Sequence, residues 1–305
     1  MKNSVGNLHD VDLRLLRVFQ TVVRYGGFSA AQEVLGLTPS TISNHMTALE
    51  DRLGVKLCHR GRGGFLLTER GRKVHEAMLD LFGSIETFRS AVGAAKGAIT
   101  GVVEFGAVDG LYTNEEFPLS DVVGEFAKTA PNAQLNVQIA SPQELLRGLI
   151  MGRFHVILTP FQKFPKAAEA QFLFRELQQL YCGRNHALFE LDDSLITHEM
   201  VSRYPYAARS YERRSQIHGQ DLNLQASISF MESAAILISS GQYIGYLPDH
   251  FADAHVASGK LRAINCEDAS FFDDFYVVTR RSAKNAAAEH FLKLMQSLVP
   301  QPGSA

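Results

Sequence analysis

Residues 28 to 56, FSAAQEVLGLTPSTISNHMTALEDRLGVK, constrain the fold more than any other stretch. They read as two helices joined by a tight turn. Ser29 can cap the first, Ala30, Ala31, Val34 and Leu35 fall at helical spacing, and Gly36 supplies the left-handed residue that ends it. Thr38 can cap the second, and Pro39 takes its first position, where a missing N–H costs nothing. Ile42, Met46, Leu49 and Leu53 follow at spacings of four, three and four, a stripe that must be buried. The opposite face carries Ser40, Thr41, Ser43, Asn44 and Thr47. These side chains are short enough for the helix to enter a DNA major groove and polar enough to bond base edges or phosphates. The pattern is a helix-turn-helix whose second helix reads DNA. The competing reading is an ordinary helical hairpin.

The flanks favour the first reading. Asp10 or Asp12 can start an earlier helix with Leu13, Leu16, Phe19, Val22 and Val23 turned inward, ended by Gly26 and Gly27, and this would complete a three-helix core. After the hairpin, Val55 and Leu57 can form a strand, GRGG at 61 to 64 a turn, and Phe65, Leu66 and Leu67 the return. That is a wing, with Arg60 and Arg62 at its tip beside the DNA backbone. Residues 52 to 73 hold Arg52, Lys56, Arg60, Arg62, Arg70, Arg72 and Lys73 against one acid, Glu69. A basic margin next to a polar helix suits phosphate contact. The net charge of −2 therefore hides an asymmetry: residues 1 to 96 carry 13 Lys+Arg and 9 Asp+Glu, net +4, and the remainder is net −6.

Thr68 can cap a long helix running to about Gly93, with Val74, Met78, Leu81, Ile85, Phe88 and Val92 spaced 4, 3, 4, 3, 4. This is a coiled-coil seam, and each such side chain stabilises by about 1.5 to 3 kcal/mol when buried. A homodimer would bury it and set two reading helices over a palindromic site. The other way to bury it is against the chain's own core.

A chain of 305 residues calls for two or three domains. It has no apolar run of 18 or more residues, and its start, MKNSVGNLHDVD, lacks a signal-peptide core, so a cytoplasmic protein with no membrane partner is expected. Cys58, Cys182 and Cys266 are too scattered for a disulfide framework or a CxxC motif and read as idle thiols. AKGAITG at 95 to 101 is small and flexible, a hinge. Beyond it, strand (102 to 107), helix (117 to 130), strand (134 to 140), helix (142 to 151) and strand (156 to 158) alternate as in an α/β unit. A second unit starts near Phe172, with a strand at 177 to 182, a helix at 230 to 239 and a strand at 244 to 247. A strand at 275 to 278 and a helix at 286 to 298 follow it. Two lobes joined by two crossovers leave a cleft where small ligands bind.

With these residues in view, the chain resembles the LysR-type family of bacterial transcriptional regulators. The resemblance rests on DLRLLRVFQTV, GGFSAAQEVLGLTPSTIS, LEDRLGVKL and HRGRGGFLLTERG, and more weakly on LYCGRNHALF and SISFMESAAILISSGQYIGYLP. It implies an all-α winged helix-turn-helix over 1–67, a dimerising linker helix over 68–94 and an α/β effector domain over 97–305. That domain would be two-lobed, Rossmann-like and similar to periplasmic binding proteins. Lobe I would span about 97–165 and 270–305, and lobe II about 166–269. It implies partners too: promoter DNA, a second copy or a dimer of dimers, RNA polymerase, and a small-molecule inducer of unknown identity, with no other cofactor. Carried over by position, Thr38, Pro39, Ser40, Thr41, Ser43 and Asn44 fall on the recognition helix and Arg60 with Arg62 on the wing. For the effector cleft, Asp109 lies in the first-strand loop, Ser141 in the second, Thr159 ends the third strand and Phe230 precedes the lobe II helix. Ser141 could act as a capping hydroxyl at an anion-favouring helix end, or as a plain cap. The chain departs from the family at Cys58, at Asn44 and in a longer loop around Asp109, so base preference is not carried over.

Two other functions compete. An enzyme would need a motif such as GxSxG, a P-loop, GxGxxG or HExxH, and none is present. A redox-sensing regulator would use paired cysteines, and Cys182 and Cys266 are far apart in the chain.

Overall fold

The computed structural model describes residues 9–59, 65–95, 98–160, 163–211, 216–217, 219–281 and 286–297. Three helices come first: α1 (Asp10–Tyr25), α2 (Phe28–Leu35) and α3 (Pro39–Leu53). The α1 and α3 stripes meet in one core, where Phe19, Val22, Ala31, Ile42, Met46 and Leu49 are fully buried; Leu13 is only half-buried and stands outside it, and Ala30 and Val34 of α2 are exposed. The α2 start differs from expectation. Its cap is Gly27, which makes no side-chain bond, and Ser29 already lies inside the helix.

Strands β1 (Cys58–His59) and β2 (Leu66–Leu67) pair antiparallel. Val55 and Leu57 do not form the strand; they pack into the helical core and pairing begins one residue later. Helix α4 (Glu69–Ala95) follows, capped by Thr68, whose Oγ1 accepts the Gly71 N–H at 2.8 Å. The α4 stripe divides along its length. Met78 is buried and Val74 and Leu81 pack on the three-helix core, whereas Phe88 is 70% and Val92 43% exposed.

The rest of the chain is one mixed sheet flanked by helices. In chain order it comprises β3 (Thr100–Ala107), a 3-10 turn (Leu111–Thr113), α5 (Leu119–Thr129), β4 (Asn132–Ile139), α6 (Pro142–Ile150), β5 (Val156–Thr159) and β6 (Ala168–Gly183). Then come α7 (His198–Arg203), β7 (Pro205–Arg209), the short pair β8 (Gln216–Ile217) and β9 (Gln220–Asp221), and β10 (Asn223–Ile228). The chain continues with α8 (Met231–Ser239), β11 (Ile244–Pro248), α9 (Asp249–Ala257), β12 (Leu261–Ala263), β13 (Ser270–Arg280) and α10 (Ala286–Ser297). The sheet order is β10-β7-β11-β6-β13-β5-β3-β4, with β12 beside β6. β4, β3 and β5 are parallel at one end, β11, β7 and β10 at the other, and antiparallel β6 and β13 join the two halves.

Those joining strands are the largest departure from the sequence reading. Segments expected at 177 to 182 and 275 to 278 belong to strands of 16 and 11 residues. Each half has its own core. Phe105, Phe126 and Phe291 meet edge to face in lobe I, and Tyr206, Tyr246 and Phe271 in lobe II. The β6–β13 register shifts between Phe275 and Tyr276, a bulge within the lobe I core. Among the described residues, no helix is long and apolar enough to cross a membrane.

Candidate DNA-reading helix and effector cleft

Helix α3 is fixed at both ends. Thr38 Oγ1 accepts the Thr41 N–H at 3.2 Å and lies 2.9 Å from both Ser40 Oγ and Thr41 Oγ1, and Gly54 closes the other end in the left-handed region. Three hydroxyls therefore gather at the positive end of the helix dipole, where a phosphate or an electronegative base edge is favoured. Pro39, Ser40, Asn44 and Thr47 are exposed, and Thr41 and Ser43 half-buried. Thr47 Oγ1 donates to the Ser43 carbonyl at 3.0 Å, which fixes its rotamer. Arg60 and Arg62 lie outside the described residues.

Two carboxylates tie this helix to its neighbours: Glu50, which the sequence reading passed over, and Asp12, which it read only as a helix start. Glu50, 7% exposed, accepts the Leu57 N–H at 2.8 Å, the Cys58 N–H at 3.3 Å and the Lys56 ammonium at 2.8 Å. Burial opposes its charge, but these donors hold the carboxyl below its usual range. Asp12 binds Arg52, with Nη2–Oδ2 at 2.9 Å, and the guanidinium holds its carboxyl down to about 2. Lys56 and Arg52, counted above in the basic margin, are thus ion-paired within the chain while their side chains stay partly exposed. The signal for Glu50 was a lone acid on the apolar flank of the reading helix.

In lobe I, parallel pairing brings the carboxyl ends of β4, β3 and β5 to one edge. Asp109 and Ser141 follow β3 and β4 by two residues, and Thr159 ends β5. Asp109 reaches across to lobe II, where its Oδ2 accepts the Met231 N–H at 2.5 Å, in the first turn of α8. Burial pushes the Asp109 carboxyl up, opposed by that bond and by Arg209. Phe230, 37% exposed, sits at the N-cap of the same helix. Ser141 closes a capping box: its hydroxyl donates to Glu144 Oε2 at 2.8 Å and accepts the Glu144 N–H at 3.4 Å. The Glu144 carboxylate already faces that helix end. Thr159 is fully buried and its hydroxyl has no hydrogen-bond partner among the described residues.

A polar chain that the sequence reading missed links the lobes beside Asp109. Arg209, 4% exposed at the end of β7, donates through Nη2 to Gln178 Oε1 at 3.0 Å and to Asp273 Oδ2 at 3.3 Å. Gln178 Nε2 donates to Glu176 Oε2 at 2.6 Å, and Glu176 Oε1 lies 2.9 Å from His250 Nε2. His250 Nδ1 ends the chain at Thr113 Oγ1, 2.8 Å away in the lobe I turn. The signal was visible, for Arg209 ends the otherwise apolar run PYAAR and Glu176 and Gln178 interrupt FRELQQLYC. Asp109 of one lobe and the buried Arg209 of the other thus stand near one another where the lobes meet. The cysteines stand apart from it. Cys58 and Cys182 are buried, and burial pushes the Cys182 thiol up to about 11. Among the described residues, no group of three or more His, Cys, Asp or Glu is placed to hold a metal ion.

Comparison with known proteins covers the whole arrangement. Residues 13–72 match the model of the bacterial regulatory helix-turn-helix protein, lysR family, and residues 96–299 that of the LysR substrate binding domain. The HTH-type transcriptional activator BauR of Pseudomonas aeruginosa is 38% identical over 293 residues, covering 95% of this chain and 96% of that protein. Two solved structures share the fold at lower identity. Full-length LysG from Corynebacterium glutamicum with bound effector Arg has a TM-score of 0.59 at 16% identity, covering 93% of this chain and 96% of LysG. Full-length CbnR in complex with its target DNA has a TM-score of 0.57 at 17% identity, covering 95% of this chain and all of CbnR, 100%. With one family model over its reading helices, another over its sheet and a full-length relative at this identity, the chain belongs to the LysR-type transcriptional regulators.

Proposed function

We propose that the chain reads promoter DNA through α3 and the wing that carries Arg60 and Arg62, under the control of a small molecule held between the two lobes. In this reading residues 1–67 bind DNA, 68–94 dimerise, and 97–305 bind the effector, lobe I being about 97–165 with 270–305 and lobe II about 166–269. The observation that carries it is the three-hydroxyl N-terminus of α3, with the exposed Ser40, Asn44 and Thr47 along the same helix. In this reading Asp109, Ser141 and Phe230 line the cleft, and the fully buried Thr159 and the buried Arg209 lie beneath its surface. A polar cleft of this kind suits a small charged molecule. The complexes of CbnR with DNA and of LysG with Arg support the same division of labour, and the activator BauR makes activation the direction to test first.

DNA binding is tested by titrating mixed-sequence duplex at several salt concentrations. Arg62→Ala weakens binding to every sequence and lowers the salt slope by about 1, because one phosphate contact is lost. An unchanged slope rejects the wing assignment. Thermal shifts with a panel of small acids, amines and amino acids test the cleft, and a ligand whose effect survives in both Asp109→Asn and Arg209→Gln binds elsewhere.

A further inference from the structure

A second cavity, of about 400 Å³, lies where α1, α4 and lobe I meet, away from the interlobe cleft. Its volume falls in the usual range of small-ligand pockets, about 300 to 1,000 Å³. Its apolar lining comes from Leu79, Phe82 and Ile85 of α4 and Phe154 of the α6–β5 turn. Its cationic lining comes from Arg17 of α1, Arg89 of α4 and Arg280 at the end of β13, with Glu86 the one carboxylate of the lining. Arg89 binds Glu86 at 2.9 Å, and Arg17 lies over the Phe82 ring, 5.9 Å from its centroid.

Arg280 is the unusual member. Its side chain is 9% exposed, and its nearest carboxylate among the described residues is Asp80 at 3.6 Å, itself half exposed; Glu76 acts from farther off. A guanidinium buried this deeply is normally matched by close, hydrogen-bonded acceptors. His155 adds a defined donor. Its Nδ1 accepts the Glu104 N–H at 3.0 Å, which leaves Nε2 as the ring donor, and burial pushes its pKa down. The walls are held in close contact: a Cβ on Gly152, whose φ is +70°, would meet Leu79 Cδ2 at 2.5 Å. Arg24 and Glu104 form a second tie between α1 and β3, at 3.1 Å.

We propose that this cavity binds a small organic anion with an apolar body, its carboxylate or phosphate head held by Arg280, Arg89 and Arg17 and its body laid on Phe82, Ile85 and Phe154. Guanidinium groups suit both heads, since either accepts paired N–H bonds. The walls come from the DNA-reading unit, the linker helix and the effector half, so an occupant that binds one arrangement of these parts better than another shifts their population. This site is separate from the cleft and stands or falls apart from it.

Calorimetric titration of the full-length protein with hexanoate, hexyl phosphate and hexylamine tests it. Either anion binds and the amine, with the same body, does not; which anion binds more tightly identifies the preferred head. Arg280→Gln weakens that binding by about tenfold or more, as does Arg89→Gln, whose exposed side chain is removed without disturbing the core. Binding persists in Asp109→Asn. The proposal is overturned if neither anion binds, if hexylamine binds as well as the anions, if Arg89→Gln leaves the affinity unchanged, or if Asp109→Asn abolishes it.

Discussion

Two buried ionisable side chains show how the reading unit is held together. Glu50 joins α3 to the chain entering β1, and removing its carboxylate leaves the Leu57 and Cys58 N–H groups without their acceptor. Glu50→Ala is expected to cost about 1 to 3 kcal/mol, read by urea denaturation. His75 is 3% exposed, edge-on to Phe19, and its Nε2 has no hydrogen-bond partner among the described residues. Burial and the nearby Arg280 push its pKa down to about 4 from 6.5. As pH falls below 6.5 the unfolded chain takes up this proton first, so stability present above that pH drains away down to about 4. The total is about 3 kcal/mol. His75→Phe removes this part of the acid sensitivity, and equal losses in the variant and the parent between pH 7 and 4 would refute it. Glu50 left a signal in the sequence as an acid on an apolar flank, whereas His75 left none, because what identifies it is the distant Phe19 ring that it meets.

At the level of elements, α4 shows what a pattern settles and what it leaves open. The 4, 3, 4, 3, 4 spacing identified a long amphipathic helix, and the helix is there. It did not say what each turn would meet. Val74, Met78 and Leu81 are taken by the three-helix core, Ile85 lines the cavity against lobe I, and Phe88 with Val92 remains exposed. In the proposed dimer those last two residues carry the partner contact. Phe88→Asp is therefore expected to shift sedimentation toward monomer while leaving helix content intact; Leu81→Asp lowers stability as well, because it also strikes the intramolecular core. A Phe88→Asp variant that still sediments as a dimer would remove the α4 seam from the account. Strand ends were read least well. β6 runs 16 residues where six were expected, since its length is set by pairing with β13, nearly a hundred residues away.

For the whole molecule, the alternation of strands and helices revealed two α/β halves and so a cleft between them. The polar chain between the lobes depends on elements far apart in the sequence, β6, β7, β13, α9 and the 3-10 turn, and no local pattern joins Arg209 to Gln178 or His250 to Thr113. The reading helix was the most legible part, since stripe and polar face lie within its 15 residues and the cap directly precedes them. The central claim is that two copies of that helix read a defined sequence together. Selection of bound duplexes from a randomised library by the full-length protein tests it most directly. The account predicts enrichment of a palindrome of two half-sites, and relaxed preference at one position in each half-site for Asn44→Ala, since a lost base contact alters specificity by about 1 to 3 kcal/mol. Recovery of unenriched sequence, or of the same motif with the same preference from Asn44→Ala and Ser43→Ala, would contradict it.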